Sequence, residues 1–452
     1  MAAPSDALGA LAEPVALVPE PEPPARDLTP RQWVRLNLLS SPLNVVLTVA
    51  FGVVAAWAIF RLARWVFVTA DWTIVRVFLR LFMVGLFPAD QLWRLWVSGY
   101  VLAATLGLAA GALAATSARV SAEPSVDGVE GANGVGRGAA AATAAGSRDA
   151  RAGWPRRAAA ALHRFWPAAL GVAVMLSFTR TPLPAVLTVG LVAVLVTSIV
   201  LGGRLPTRLR RWVWVAVVVG VVASLQVVTA GADGVGWDDW GGLHLAVAAT
   251  VAGIALAFPL GLVLALGRRS SMPGMRVLST GYIEMFRAVP LVTLLFVGQY
   301  MVGFLFPTSV DPPSFLVRAV IAITLFEAAY IAEIVRGGLQ AVPVGQVEAA
   351  QAVGLSPPKV LRLVVLPQAL RAVIPAMVGQ FISLFKDTSL LSIIGFIELI
   401  GVADFATDQP RFQGEGLRPL AFAFIGFLFW AVCSTMSRES QRLERRLGVG
   451  ER

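Results

Sequence analysis

VPVGQVEAAQAVGLSPPKVLRLVVLP, residues 342–367, interrupts two long apolar stretches of the chain. Residues 346–353 have high helix propensity. Gly354 is a helix stop. Ser356 can cap a second short helix, with Pro357 and Pro358 in its first turn. Leu366-Pro367 is expected to end that helix before the next apolar stretch. Small residues at 349, 350 and 352 leave room for a partner surface to approach the backbone. The segment therefore reads as a helix–turn–helix loop lying against a membrane face.

The composition around it supports a membrane protein. The 452 residues are 57% hydrophobic and 14% charged, with a mean hydropathy of +0.74. Soluble domains carry about 25% charged residues. A membrane-spanning helix needs roughly 17–25 mostly apolar residues. Ten such segments are expected, near 43–63, 95–116, 165–179, 184–203, 212–230, 243–267, 282–305, 315–337, 377–401 and 419–437. The fold class is all-α and polytopic. The pair 165–179 and 184–203 is joined by a Pro-containing turn at 179–184.

Ten spans put both termini on one side. With the N-terminus inside, the inner segments hold 26 Lys and Arg and the outer segments 5. Positive charge favours the cytoplasmic side, so both termini are expected there, with Arg61 and Arg64 as mild exceptions. Residues 1–42 contain PEPEPP and read as a disordered cytoplasmic tail without the features of a signal peptide. Residues 43–116 carry the first membrane helices. Within them, 65–94 is an outer segment whose Trp65, Trp72, Trp93 and Trp96 fit a helix lying in the interface. Residues 117–153, rich in Ala, Gly and Ser, read as a flexible cytoplasmic linker. Additional membrane helices occupy 154–242, and 438–452 form a cytoplasmic C-terminal tail.

Several chemistries are excluded. Cys433 is the one cysteine, so no internal disulfide or Cys-rich metal site is available. His163 and His244 form no metal-ligand motif, and no metal site is expected. Neither Lys359 nor Lys386 follows a glycine, so the chain has no GxxxxGK[ST] phosphate loop. No nucleophile elbow is present, and no catalytic residue is expected. The positive charge is assigned to cytoplasmic loops rather than to nucleic-acid binding.

The 342–367 loop resembles the cytoplasmic loop of ABC importer permeases, whose pattern is E-A-A, three residues, G, nine residues, I, any residue, L-P. Here Glu348, Ala349, Ala350, Gly354, Leu366 and Pro367 match it, with Val364 in place of Ile. The stretches 286–291 (FRAVPL), 329–338 (AYIAEIVRGG), 366–370 (LPQAL) and 385–390 (FKDTSL) resemble the polar amino-acid branch of that family. The extra N-terminal spans and the C-terminal end resemble the longer permeases of general L-amino-acid importers. The resemblance covers about 243–447. It implies a five-helix type I permease core at 243–437 whose 342–367 loop couples to an ATPase. It also implies a second permease subunit, giving a homo- or heterodimeric pore. Separate ABC ATPase subunits would use ATP, and a periplasmic or surface solute-binding protein would deliver polar L-amino acids. The setting would be the bacterial cytoplasmic membrane, with no cofactor on this chain.

Charged groups inside spans are functional candidates. Glu284 with Arg287, and Glu333 with Arg336, are spaced to pair on one helix face. Glu327 lies about 18 Å along its span at 1.5 Å per residue, near mid-bilayer. Lys386 and Asp387 read as similarly deep, and Gln299 adds a neutral polar group. Either these four line a translocation path, or Glu327 pairs with Lys386 to hold the bundle together. The alternative function is an ion-coupled secondary transporter with Glu327 or Asp387 as the coupling carboxylate. A membrane-embedded enzyme is disfavoured by the missing catalytic constellation.

Overall fold

The computed structural model describes residues 29–120, 163–229, 235–307, 309–413 and 416–447. Among the described residues the structure is helical and has no strand. Each of the ten expected apolar segments contains helix. Among the described residues seven helices are long and apolar enough to cross a membrane, or eight if one bent pair is counted as a single span. The helices within 165–179 and 212–230 are shorter.

The described residues up to Ala70 form one compact unit and those from Asp71 onward a second. In the first, α1 (Pro30–Asn37) precedes α2 (Pro42–Arg64). The tail expectation for 1–42 is corrected at α1. Thr29 and Gln32 form a reciprocal capping box, and Pro30 stands in the first turn, so a short helix is nucleated there. Residues 1–28 lie outside the described residues. No residue of α2 is buried.

The second unit begins with α3 (Thr73–Val84). Ile74, Val75 and Phe82 on α3 are fully buried. The helix packs on α9 (Gly242–Arg268), α16 (Leu399–Asp408) and α17 (Leu417–Leu447). Its apolar face is therefore satisfied by protein, in contrast to the interfacial helix expected over 65–94. Phe82 meets Phe424 edge to face at 5.3 Å.

The next helices are α4 (Leu92–Val120), α5 (Trp166–Ser177), α6 (Leu183–Arg204), the short α7 (Thr207–Arg210) and α8 (Val213–Thr229). α4 packs between α6 and α8, and α5 packs on α17. The linker expected from 117 is helical through Val120, because the Ala-rich run favours continuing α4. Residues 121–153 lie outside the described residues. The C-terminal tail expected from 438 is likewise helical to Leu447.

The remaining core helices are α10 (Pro273–Ala288), α11 (Leu291–Phe296), α12 (Phe315–Ala341), α13 (Val344–Ala352), α14 (Pro357–Val360) and α15 (Leu366–Asp387). The continuous span expected over 282–305 is corrected. It is bent by 101° between α10 and the segment 291–305. Val289 and Pro290 are both extended there, because a proline disfavours helix at the residue before it and lacks an N–H. The span expected over 377–401 begins earlier, at Leu366. It continues past Asp387 as 3-10 helix to Ile394, where Gly395 turns at φ 100°.

Lipid tails are as apolar as leucine, so contacts between these helices rely on close packing and interhelical hydrogen bonds. α12 is the hub, packing on α9, α10, α11 and α15. Ile331, Ala332 and Val335 on it are fully buried. Gly338 lets the α15 backbone approach. A Cβ added there would stand 2.6 Å from the Ala369 carbonyl oxygen.

Candidate functional site

The 342–367 segment is a short helix–turn–helix. α13 ends at Ala352, and Gly354, whose φ of 81° favours glycine, turns the chain two residues later. Ser356 takes the N-cap position of α14 but makes no side-chain cap bond, and Pro357 lies in the first turn as expected. Leu366-Pro367 does not end the second helix. A five-residue π-turn over 361–365 runs into α15, and Pro367 sits in the first turn of that helix. The π-turn already interrupts the regular i to i−4 ladder at this point, and the proline's missing N–H falls on that interruption.

The two sides of α13 differ. Ala350 is buried in a cluster with Leu339, Val360, Val365 and Ala369. Val347 and Leu355 pack against the same cluster. Glu348, Ala349, Gln351 and Ala352 are exposed. Val344 and Val353 are 70% and 77% exposed. The expectation that 349, 350 and 352 all admit a partner is thereby corrected. Ala349 and Ala352 face outward, while Ala350 anchors the loop to its own core. Leu366 is partly buried and Pro367 exposed.

One helical segment away, Glu333 on α12 gathers three arginines. Arg336 pairs with it at 2.8 Å, as its spacing predicts. Arg268 at the end of α9 approaches it to 2.5 Å, and Arg287 on α10 to 3.6 Å. The expected Glu284–Arg287 pair is not formed, because Arg268 bridges to Glu284 at 2.9 Å. The cluster ties α9, α10 and α12 together where α12 leads into the 342–367 segment. Arg268 was missed by the sequence reading because its partners lie on other helices.

Glu327 is 1% exposed and its carboxylate accepts from the Gln380 amide at 3.0 and 3.3 Å. The alternative in which Lys386 neutralises it is overturned. Lys386 is exposed and forms no ion pair among the described residues. Both Lys386 and Asp387 end α15 instead of lying midway along it, because that helix starts well before the expected span. Gln380 was also missed. Its signal was an isolated amide inside an apolar segment.

Gln299 is placed elsewhere. It lines a cavity of about 160 Å³ with Asp238, Trp240, Phe315 and Phe396, and none of the other three path candidates lines it. Its backbone carbonyl accepts from Arg318 at 3.1 Å. Gln299, Glu327 and the Lys386–Asp387 pair therefore do not form one common pocket. Among the described residues no group of His, Cys, Asp or Glu is arranged to hold a metal.

Comparison with known proteins places this architecture. Residues 257–449 match the family described as binding-protein-dependent transport system inner membrane component. The chain is 46% identical over 213 residues to the inner membrane amino-acid ABC transporter permease protein YhdY of Escherichia coli. That match covers 47% of this chain and 57% of the relative. It is 32% identical over 462 residues to the glutamate/glutamine/aspartate/asparagine transport system permease protein BztC of Rhodobacter capsulatus, covering 95% of this chain and 96% of that one. The chain belongs to the binding-protein-dependent ABC-transporter permease family.

Among solved structures, an amino acid ABC transporter with histidines is 29% identical, over 45% of this chain and 90% of that one, with a TM-score of 0.40. A permease of this family is a non-enzymatic pore subunit of the inner membrane, and ATP is used by a separate ATPase subunit. Membership sets aside the ion-coupled secondary transporter.

Proposed function

We propose that this permease is one of two pore-forming subunits of an ATP-driven importer of polar L-amino acids. The observation that carries the reading is the two-sided coupling segment. One side of α13 is anchored in the core through Ala350, and the other presents Glu348, Ala349 and exposed valines. An ATPase subunit seated on that outer side moves α13 as a lever. Val360, Val365 and Ala369 carry the motion into α15, and Leu339 carries it into α12. The pore then alternates between two states whose equilibrium is biased by the ATP cycle.

In this reading the core is 243–437, both termini are cytoplasmic and a solute-binding protein delivers substrate from outside. The arginine asymmetry supports the orientation. Glu327, held by Gln380 between α12 and α15, and Asp387 at the end of α15 supply negative charge along the path. Gln299 contributes at a separate cavity, and Lys386 supplies an exposed cation. The names of the relatives above support amino acids as the cargo class.

The test is reconstitution in liposomes with its ATPase, a second permease and candidate binding proteins. Uptake of a polar amino acid should require internal ATP and proceed without an ion gradient. Uptake driven by a proton or sodium gradient in the absence of ATP would overturn the proposal.

A further inference from the structure

The turn joining α6 to α8 carries a concentration of positive charge that the transport reading leaves unused. Arg204, Arg208, Arg210 and Arg211 fall within eight residues, and no Asp or Glu occurs between Asp149 and Asp233. Arg210 is committed to the fold. Its guanidinium donates to the Leu205 carbonyl at 3.0 Å and the Gly203 carbonyl at 3.2 Å, pinning the turn. Arg204, Arg208 and Arg211 are exposed, and none forms an ion pair with a described carboxylate. Arg268, Arg287 and Arg336 on the core differ, since Glu284 and Glu333 meet their charge.

Two apolar side chains sit among these arginines. Leu209 is 52% and Trp212 56% exposed, and the Arg211 guanidinium lies 5.8 Å from the Trp212 ring. α6 is a candidate membrane span that ends at Arg204, and the apolar α8 begins at Val213. The turn therefore stands where apolar helix gives way to headgroup. Trp favours that depth, and Arg meets phosphate through two parallel N–H donors.

We propose that this turn binds the phosphate of anionic phospholipids, with Arg204, Arg208 and Arg211 as donors and Leu209 and Trp212 set against the acyl boundary. The site anchors the N-terminal helices α4, α6 and α8 to the lipid. It binds independently of ATP and of amino-acid substrate, so it stands or falls apart from the transport reading.

The test is native mass spectrometry of the full chain in detergent with phosphatidylglycerol, cardiolipin or phosphatidylcholine added. The wild type should retain the two anionic lipids over phosphatidylcholine, and retention should fall as salt rises. Each basic residue near an anionic surface shifts partitioning by roughly fivefold. The triple variant R204Q/R208Q/R211Q should therefore lose more than about tenfold of the anionic lipid. The control R269Q/R371Q/R445Q removes three exposed charges elsewhere and should retain it. Excess inorganic phosphate should not displace the lipid. Equal loss in the control, equal retention of phosphatidylcholine, or full displacement by free phosphate would each overturn the proposal. If the triple variant does not stay monodisperse, the salt and lipid-class series on wild type decides.

Discussion

The Gln380 amide nitrogen on α15 donates to both carboxylate oxygens of Glu327 on α12, at 3.0 and 3.3 Å. A buried carboxylate in a membrane protein is thus held by a neutral amide, and among the described residues no cation pairs with it. This separates the role of the charge from that of the hydrogen bond. Glu327→Gln keeps the shape and an acceptor oxygen. It should change stability in detergent by less than about 1 kcal/mol. It should alter the uptake ratio of basic to acidic amino acids. Competition assays across acidic, neutral and basic substrates measure this, and an unchanged profile removes Glu327 from the path.

Lys386 tests the same relationship from the other side. It is exposed and does not pair with Glu327, so Lys386→Met should leave thermal stability within about 0.5 kcal/mol of wild type. A large loss, restored by adding Glu327→Gln, would restore the cross-bundle ion pair that the structure lacks.

The two faces of α13 predict opposite outcomes for neighbouring alanines. Ala349→Glu should fold normally and impair ATP-driven uptake. Ala350→Glu places a carboxylate in the Leu339, Val360 and Val365 cluster and should lower stability by about 2 kcal/mol or more. Thermal unfolding of the two variants side by side distinguishes the faces, and equal melting temperatures would contradict the assignment. Glu348→Lys should behave like the first, because Glu348 is exposed.

Gly354 is constrained by backbone rather than space. A Cβ added there meets nothing within 4 Å, but φ is 81°. Gly354→Val should cost roughly 1–2 kcal/mol through left-handed strain alone. Gly338→Leu should fail for the other reason, since the Ala369 carbonyl blocks the added Cβ. A well-behaved Gly338→Leu protein by size-exclusion chromatography would contradict the packing of α12 on α15.

Glu333 forms ion pairs with three arginines and its side chain is 16% exposed, whereas Glu284 is 58% exposed and among the described residues pairs with Arg268 alone. Breaking a buried pair costs about 3–5 kcal/mol, and partial exposure reduces that to about 2 kcal/mol for Glu333→Gln. Glu284→Gln should cost less than about 1 kcal/mol. Unfolding in detergent across the two variants checks the order, and a reversed order would relocate the hub of the cluster.

Residue order alone determined the helical class, the positions of the apolar segments, the helix–turn–helix at 342–367 and the Glu333–Arg336 pair. These depend on neighbours within a few positions: apolar run length, a glycine stop, a proline in a first turn, and i,i+3 geometry. It misjudged α1, α3 and the start of α15, where a capping box, burial against other helices and a tolerated proline outweighed local appearance. Only the tertiary structure decided that Gln380 rather than Lys386 meets Glu327, that Arg268 takes Glu284 from Arg287, and that Ala350 faces inward while Ala349 faces out. Each of those outcomes turns on which faces of separate helices meet. That is set by how α9, α10, α12 and α15 rotate and slide as their side chains interlock, and spacing along one helix carries no record of it.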